Sequence, residues 1–428
     1  MAIIIVFKLG KLVYGNKDLL YYYKGLVACP PLQMVDDVLA VQKCSIKSKQ
    51  LNTVINTFME CEKLTLSKTK CNKIHIGNTK TICQDLKVHE AKMKQSKAEK
   101  YLGDIVHESG KNKTNIEQRT AKAWGKINEI MAIIKDAPLG WWRIKAGTLL
   151  RKALFINATL FNSEAWHGLN KAQVEAFEKV DEALLRGLVT GHAKMPIPAL
   201  YLETGMMPIR FILACRRVNY LQTILQRAPE ELIRRVFEAQ KSDPTSGDFC
   251  LQVKEDMEVL GIKMNDEAIK QMKSNQFKKL VKEKAQEASL KYLLLQKETK
   301  SKLGKLKYNS LKIQPYMESK LFTREEASFL MALRTHTVRG VRGDFRGMYP
   351  DTTCPLPGCT EEDTLPHILE CQVLALHRGA PMPAASSMDI YGDDIAKQKM
   401  ITTTFMELME TRAAILDQSA LQGGRPMH

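Results

Sequence analysis

Cys354, Cys359, His367 and Cys371 fall as Cys-x4-Cys-x7-His-x3-Cys within CPLPGCTEEDTLPHILEC, near the C-terminal end of the chain. Three thiolates and one imidazole are the donors of a closed tetrahedral Zn2+ site, which stabilises a small fold and leaves no coordination position for substrate water. Pro355 and Pro357-Gly358 turn the chain between the first two thiols, and Asp363 or Thr364 followed by Pro366 reads as the start of a short helix. His367 and Cys371, four residues apart, then share one face of that helix. The second set with chemistry is Asp36-Asp37 in PPLQMVDDVLAVQ. Adjacent carboxylates between apolar β-formers predict a tight hairpin that pushes hard oxygen ligands out of a sheet. Such a pair can serve two Mg2+ ions about 3.5 to 4 Å apart, the arrangement of two-metal phosphoryl transfer. For an Asp-Asp taken alone, a solvent-facing turn is the competing reading.

Two further constellations are set aside. Asp393-Asp394 follows Tyr391-Gly392 but leads into IAKQKMITTTFMELM, whose period is helical, so one of the two aspartates is expected to cap that helix. Cys71, His75, Cys83 and His89 form a loose Cys/His set, but if KCNKIHIG is a strand, Cys71 and His75 stand about 13 Å apart, too far for one ion.

The elements that must position these residues predict an α+β chain. Residues 1–108 carry short apolar runs split by polar turns, which read as strands, with one helix near Ser48 to Glu62. Residues 109–240 are helix-periodic. Lys241 to Asp248, KSDPTSGD, reads as a linker, and residues 241–330 as a basic helical region. From Lys270 to Lys312 there are 13 lysines against three acids, a pattern that fits either a solvated helix face or a surface that tracks nucleic acid. Residues 331–375 join the Cys/His cluster to LRTHTVRGVRGDFRGMYP, where Arg334, Arg339, Arg342 and Arg346 are spaced by glycines as in a phosphate-contacting arm. Residues 376–428 hold one amphipathic helix, about Asp394 to Leu416, and a tail.

The 428-residue chain has 64 Lys and Arg against 47 Asp and Glu, a net +17 that favours a polyanionic partner. Ten cysteines without regular pairing fit a reducing, intracellular setting, with the nucleus compatible, better than a disulfide framework. The N-terminal run Ile3 to Phe7 is far short of a membrane span and reads as a buried strand, which predicts a soluble protein with no membrane partner.

In their order, MVDD in a hairpin, KLTLSKTKCNKIHIG, YLGDIV, a helical stretch and the Cys/His cluster resemble the C-terminal part of a non-LTR (LINE-like) retrotransposon reverse transcriptase, an RNA-directed DNA polymerase. NSEAWHGL (Asn162 to Leu169), FEKVDEALLR (Phe177 to Arg186) and LYLETGMMPIRFILACRR (Leu200 to Arg217) resemble the thumb of that family. The resemblance implies a partial palm over residues 1–108, a helical thumb over 109–240 and a CCHC zinc knuckle within 331–375. It implies catalytic roles for Asp36, Asp37 and Lys70, with Met34 where the family has an aromatic residue, and a primer grip at Tyr101-Leu102-Gly103. The implied cofactors are structural Zn2+ and catalytic Mg2+, and the implied partners are RNA and DNA as template and primer. The chain departs from the family ahead of Asp36. Asp18 is the only aspartate there and lacks the context of the family's first carboxylate motif, and the Gly-rich, Gln-containing segment between the carboxylate motifs is missing. The expectation is an N-terminally truncated polymerase that binds nucleic acid and polymerises weakly or not at all alone. The alternatives are a non-catalytic RNA- or DNA-binding module and a structural interaction protein with a decayed site.

Overall fold

The computed structural model describes residues 20–423 apart from 30–31, 35–36, 43–44, 66, 68–70, 77–85, 89–90, 136–139, 167, 190–194, 346 and 379–386. In chain order it forms β1 (Tyr21–Tyr23), β2 (Val27–Cys29), β3 (Leu32–Met34), β4 (Asp37–Leu39), α1 (Ser45–Cys61), β5 (Asn72–Lys73), β6 (Lys87–Val88), β7 (Ala91–Lys92), β8 (Lys94–Gln95), β9 (Ala98–Tyr101) and β10 (Asp104–His107). Helices follow: α2 (Lys113–Ile133), α3 (Gly140–Leu150) leading into a turn of π-helix at Arg151–Ile156, α4 (Lys171–Leu188), α5 (Ile197–Thr204), α6 (Ile209–Gln226), α7 (Leu232–Ser242), α8 (Phe249–Leu260), α9 (Asp266–Gln271), α10 (Ser274–Glu298), α11 (Pro315–Glu318), α12 (Arg324–Arg334), α13 (Leu365–Glu370), α14 (Gln372–Arg378) and α15 (Ile395–Gly423). The α+β expectation holds. Among the described residues the strands pair only as two-stranded ladders, antiparallel except for β5 with β8. No described helix is long and apolar enough to cross a membrane.

Two compact units divide the chain: residues 1–121, 160–174 and 213–281 form one, and residues 122–159, 175–212 and 282–428 the other. In the first, α1 lays Leu51, Phe58 and Met59 against Leu20, Tyr22 and Ala28 of the β1–β2 hairpin. The segment expected as a linker is a folded loop. The Asp248 carboxylate accepts hydrogen bonds from the Thr245 amide at 2.9 Å and its hydroxyl at 2.8 Å, and the Lys24 ammonium lies 3.0 Å away. Pro, Gly, Ser and Asp signal tight turns as readily as linkers, and here an ion pair to a distant hairpin decides between the two. The Arg217 guanidinium is paired in the same unit with Asp256, joining α6 to α8.

The second unit is organised around buried arginines. Arg143 donates to the carbonyls of Ile134, Gly187 and Leu188, which satisfies groups at the end of α4 that have no helical partner. Arg151 forms a two-point pair with Asp181, to which the Tyr201 hydroxyl also donates. Glu203, fully buried on α5, accepts from the Tyr308 hydroxyl at 2.5 Å, the Tyr316 hydroxyl at 2.9 Å and Arg334 at 3.1 Å. Burial, reinforced by the Glu203 charge, holds both phenols well above their ordinary pKa, so they stay protonated and donate. Asp394 caps α15 by accepting from the amides of Ala396 and Lys397, the capping role expected for the second Asp-Asp pair.

Removing Glu203 leaves the Arg334 charge buried without a counter-ion. Glu203→Ala is therefore expected to destabilise its unit by about 3–5 kcal/mol, read as a lowered midpoint in urea unfolding followed by circular dichroism. A midpoint equal to that of the parent chain would refute this role.

Candidate metal centre

Two extended stretches are paired around an isolated bridge between Thr353 and Glu362. The Cys354 amide donates to the Glu361 carbonyl at 2.8 Å, and the Asp363 amide to the Thr352 carbonyl at 2.9 Å. This ribbon carries Cys354 beside the start of α13, where Thr364 is the cap residue accepting from the His367 amide and Pro366 occupies the first turn. The cap belongs to Thr364, which resolves the choice between it and Asp363. Leu365, Ile368 and Leu369 face inward and anchor the short helix, with Leu356 buried as well.

The result is one cluster. One donor atom from each of Cys354, Cys359, His367 and Cys371 lies within 4.8 Å of every other, and the Cys359 sulfur stands 3.3 Å from the His367 Nε2. Zn–S bonds of about 2.3 Å and Zn–N bonds of about 2.0 Å place tetrahedral donors at such separations, so the residues fit a zinc-type ion ligated by His367 through Nε2. Cys354 and Cys371 are buried while Cys359 and His367 are half-exposed, a closed site with one side toward solvent. Burial pushes the Cys354 thiol up to about 12, and the adjacent Cys359 thiol adds to the shift. Without an ion, the proton therefore stays on this sulfur at neutral pH. Ion binding must displace it, which couples metal affinity to pH.

Asp363 supplies a support that sequence reading placed elsewhere. Its fully buried carboxylate accepts two hydrogen bonds from Arg412 of α15, at 2.7 and 2.6 Å, and one from the Arg342 amide at 2.6 Å. The Asp363 carbonyl accepts from the Gly343 amide at 2.8 Å. One residue between the second and third metal ligands thus ties the cluster to the C-terminal helix and to the arginine-bearing loop.

That loop divides its arginines. Arg334 is 4% exposed and committed to Glu203 and the Ile390 carbonyl, so it serves the fold. Arg342 lies over the Tyr349 ring and within 3.6 Å of Asp351. Arg339 is exposed, and Arg346 lies outside the described residues. Among the lysines expected on a surface, Lys302 instead donates inward to the carbonyls of His336 and Asp344, while Lys278, Lys279, Lys282 and Lys291 are exposed.

The carboxylate pair belongs to the other unit. Met34 pairs with Asp37 in the antiparallel β3–β4 ladder. Asp36, the Asp37 side chain and Lys70 lie outside the described residues. Tyr101-Leu102-Gly103 sits at the β9–β10 turn, with Tyr101 paired to Asp104 and positive φ at Leu102 (48°) and Gly103 (92°). Glycine adopts that geometry freely and leucine does not. The tip is held by Arg119, which donates to the Gly103 carbonyl at 2.7 Å and to Asp104 at 3.1 Å, and by Asn162, which donates to Asp104 at 3.0 Å. The Tyr101 hydroxyl donates to the Leu32 carbonyl at 3.2 Å, joining this hairpin to the one that carries the aspartates. Cys71 and His75 join no metal-type group among the described residues, and Cys83 and His89 lie outside them.

No protein-family model, curated protein or solved structure matches the chain.

The purified chain is expected to carry one zinc ion, lost on Cys359→Ser, with faster proteolysis of the segment after about residue 340. Zinc added to the metal-free chain in weak buffer should release protons, and binding should weaken as pH falls. Unchanged metal content in the variant by elemental analysis would refute the site.

Proposed function

We propose that this chain is a nucleic-acid-binding protein of the reverse-transcriptase type, with Asp36 and Asp37 as the Mg2+-holding carboxylates, Lys70 and the Tyr101-Leu102-Gly103 turn as their companions, and RNA and DNA as template and primer. The observation that carries this reading is the Tyr101 hydroxyl bonded to Leu32. It joins the clamped β9–β10 turn to the first residue of β3, in the hairpin whose sequence holds the aspartate pair, and a primer grip likewise belongs to the same neighbourhood as the carboxylates that act on the primer end. Leu102 keeps a left-handed conformation that costs a non-glycine residue about 1–2 kcal/mol, and such strain is retained where geometry is used. Adjacent aspartates at a hairpin end suit two Mg2+ ions, one activating the primer hydroxyl and one neutralising the leaving pyrophosphate.

The zinc-type cluster and the exposed Arg339 support a nucleic-acid role in the second unit. A zinc site of this size contributes folding energy, and here it holds a basic loop in shape. The second reading is a binding module without chemistry, which the zinc-type cluster and the exposed Arg339 favour without calling on the aspartate pair.

Primer extension on an RNA template with Mg2+, comparing the parent chain with Asp36→Ala/Asp37→Ala, separates the two. Extension confined to the parent supports polymerisation. The polymerase reading fails if neither chain extends the primer while both bind RNA, and the nucleic-acid reading fails if neither binds. Binding should fall with salt, and Arg339→Glu should reduce both affinity and salt slope.

A further inference from the structure

The inner side of α3 is fixed to the rest of its unit. Arg143 binds three backbone carbonyls, and a Cβ on Gly147 would stand 2.1 Å from the Leu188 side chain, so only glycine lets α4 approach this closely. Arg151 is paired with the fully buried Asp181, and Phe155 and Ile156 are buried. α3 also packs on α11 and α12. These contacts set which side of α3 faces the rest of its unit and leave the other face outward.

That face carries Trp142, Lys145, Leu149 and Lys152 at spacings of three, four and three, all of them exposed, with Trp142 at 42% and Leu149 at 67%. Neither lysine forms an ion pair among the described residues, and no acidic residue occurs in the sequence between Asp136 and Glu164. Lys320, over the ring of the neighbouring Trp141 at 5.4 Å, adds a third cation nearby. Single exposed apolar residues are ordinary. An exposed indole followed along one face by two lysines without ion pairs is a different surface, one that matches a polyanion with flat apolar faces. The turn of π-helix within it is of a kind often found at functional positions.

We propose that the outer face of α3 and its π-turn receives an unpaired polynucleotide strand, stacking a base on Trp142 and holding phosphates with Lys145 and Lys152. Unpaired bases offer both the negative charge and the open ring faces that this surface complements, whereas a duplex hides the faces within its stack. Leu149 adds apolar contact to the sugar or base edge. The inference rests on the nucleic-acid reading above and names the part of the chain that meets the strand.

The test uses the full zinc-loaded chain with fluorescein-labelled single-stranded RNA, followed by anisotropy across a salt series. Trp142→Ala is expected to weaken binding about tenfold, within the range for loss of one stacked base, and Trp142→Phe to restore most of it. Lys145→Ala/Lys152→Ala is expected to flatten the log–log salt dependence by about 0.7 per lysine. Unchanged circular dichroism and zinc content would show that the fold persists in each variant. If both changes leave binding as in the parent while Arg339→Glu weakens it, this face is not the site and the nucleic-acid reading stands. If the parent binds no RNA, both fall. Equal competition by duplex RNA or by polyglutamate would overturn the unpaired-strand assignment.

Discussion

Buried guanidinium groups impose the constraint that orders the larger part of the second unit. Arg143, Arg151, Arg334 and Arg412 are each withdrawn from water. A planar, always-charged group can be buried only where carboxylates or carbonyls meet several of its donors. Each arginine therefore dictates which distant segments must converge. Asp181 draws α4 to the π-turn, Glu203 draws α5 to α12, and Asp363 draws the metal-binding segment to α15. Such pairs contribute little net stability relative to an apolar core of the same volume, but they penalise any packing in which a charge loses its partner.

This constraint bears directly on the metal centre. The four candidate ligands lie in one short segment, which is joined to the rest of its unit by buried Leu365, Ile368 and Leu369 and by the Asp363 carboxylate held by Arg412 and by the Arg342 amide. Metal binding and the course of the basic loop are thereby connected through one side chain. The chain's positive charge is sorted by the same rule. Arg151, Arg217 and Arg412, each in a two-point carboxylate pair, are buried, while lysines such as Lys278, Lys282 and Lys291, with their compact, strongly hydrated ammonium, are exposed. Lys302 is an exception, turned inward onto two carbonyls.

In the first unit the equivalent role belongs to Asp104, which collects Asn115, Arg119 and Asn162 around the β9–β10 turn. A two-residue turn with leucine at positive φ is not a shape a free hairpin would favour. It persists because the surrounding donors fix both carbonyls of the tip and the carboxylate that follows it. The Tyr101 hydroxyl then links this hairpin to β3 through the Leu32 carbonyl.

Features with short closure were readable in the residues themselves. The metal ligands lie within 18 residues, bounded by turn-forming prolines and a helix start, so their spacing alone brings the donors together. The β3–β4 pairing, the α1 and α15 helices and the Asp394 cap were also local, each decided by side-chain period or by a capping side chain within three residues. The fate of the arginines was not local. Arg334 and Arg339 look alike in a glycine-spaced run, and only the arrival of Glu203, from far away in the chain, buried one and left the other exposed. The same holds for Lys241 to Asp248, whose composition reads as a linker until Lys24 reaches Asp248. It holds again for the outer face of α3, where a 3.6-residue period marks a helix but only the packing of Gly147 on Leu188 decides which side meets water. Local spacing determines which groups can meet because loop closure over a few residues costs little. Burial of charge is decided by tertiary structure, because its cost is offset only by partners that the fold brings from elsewhere.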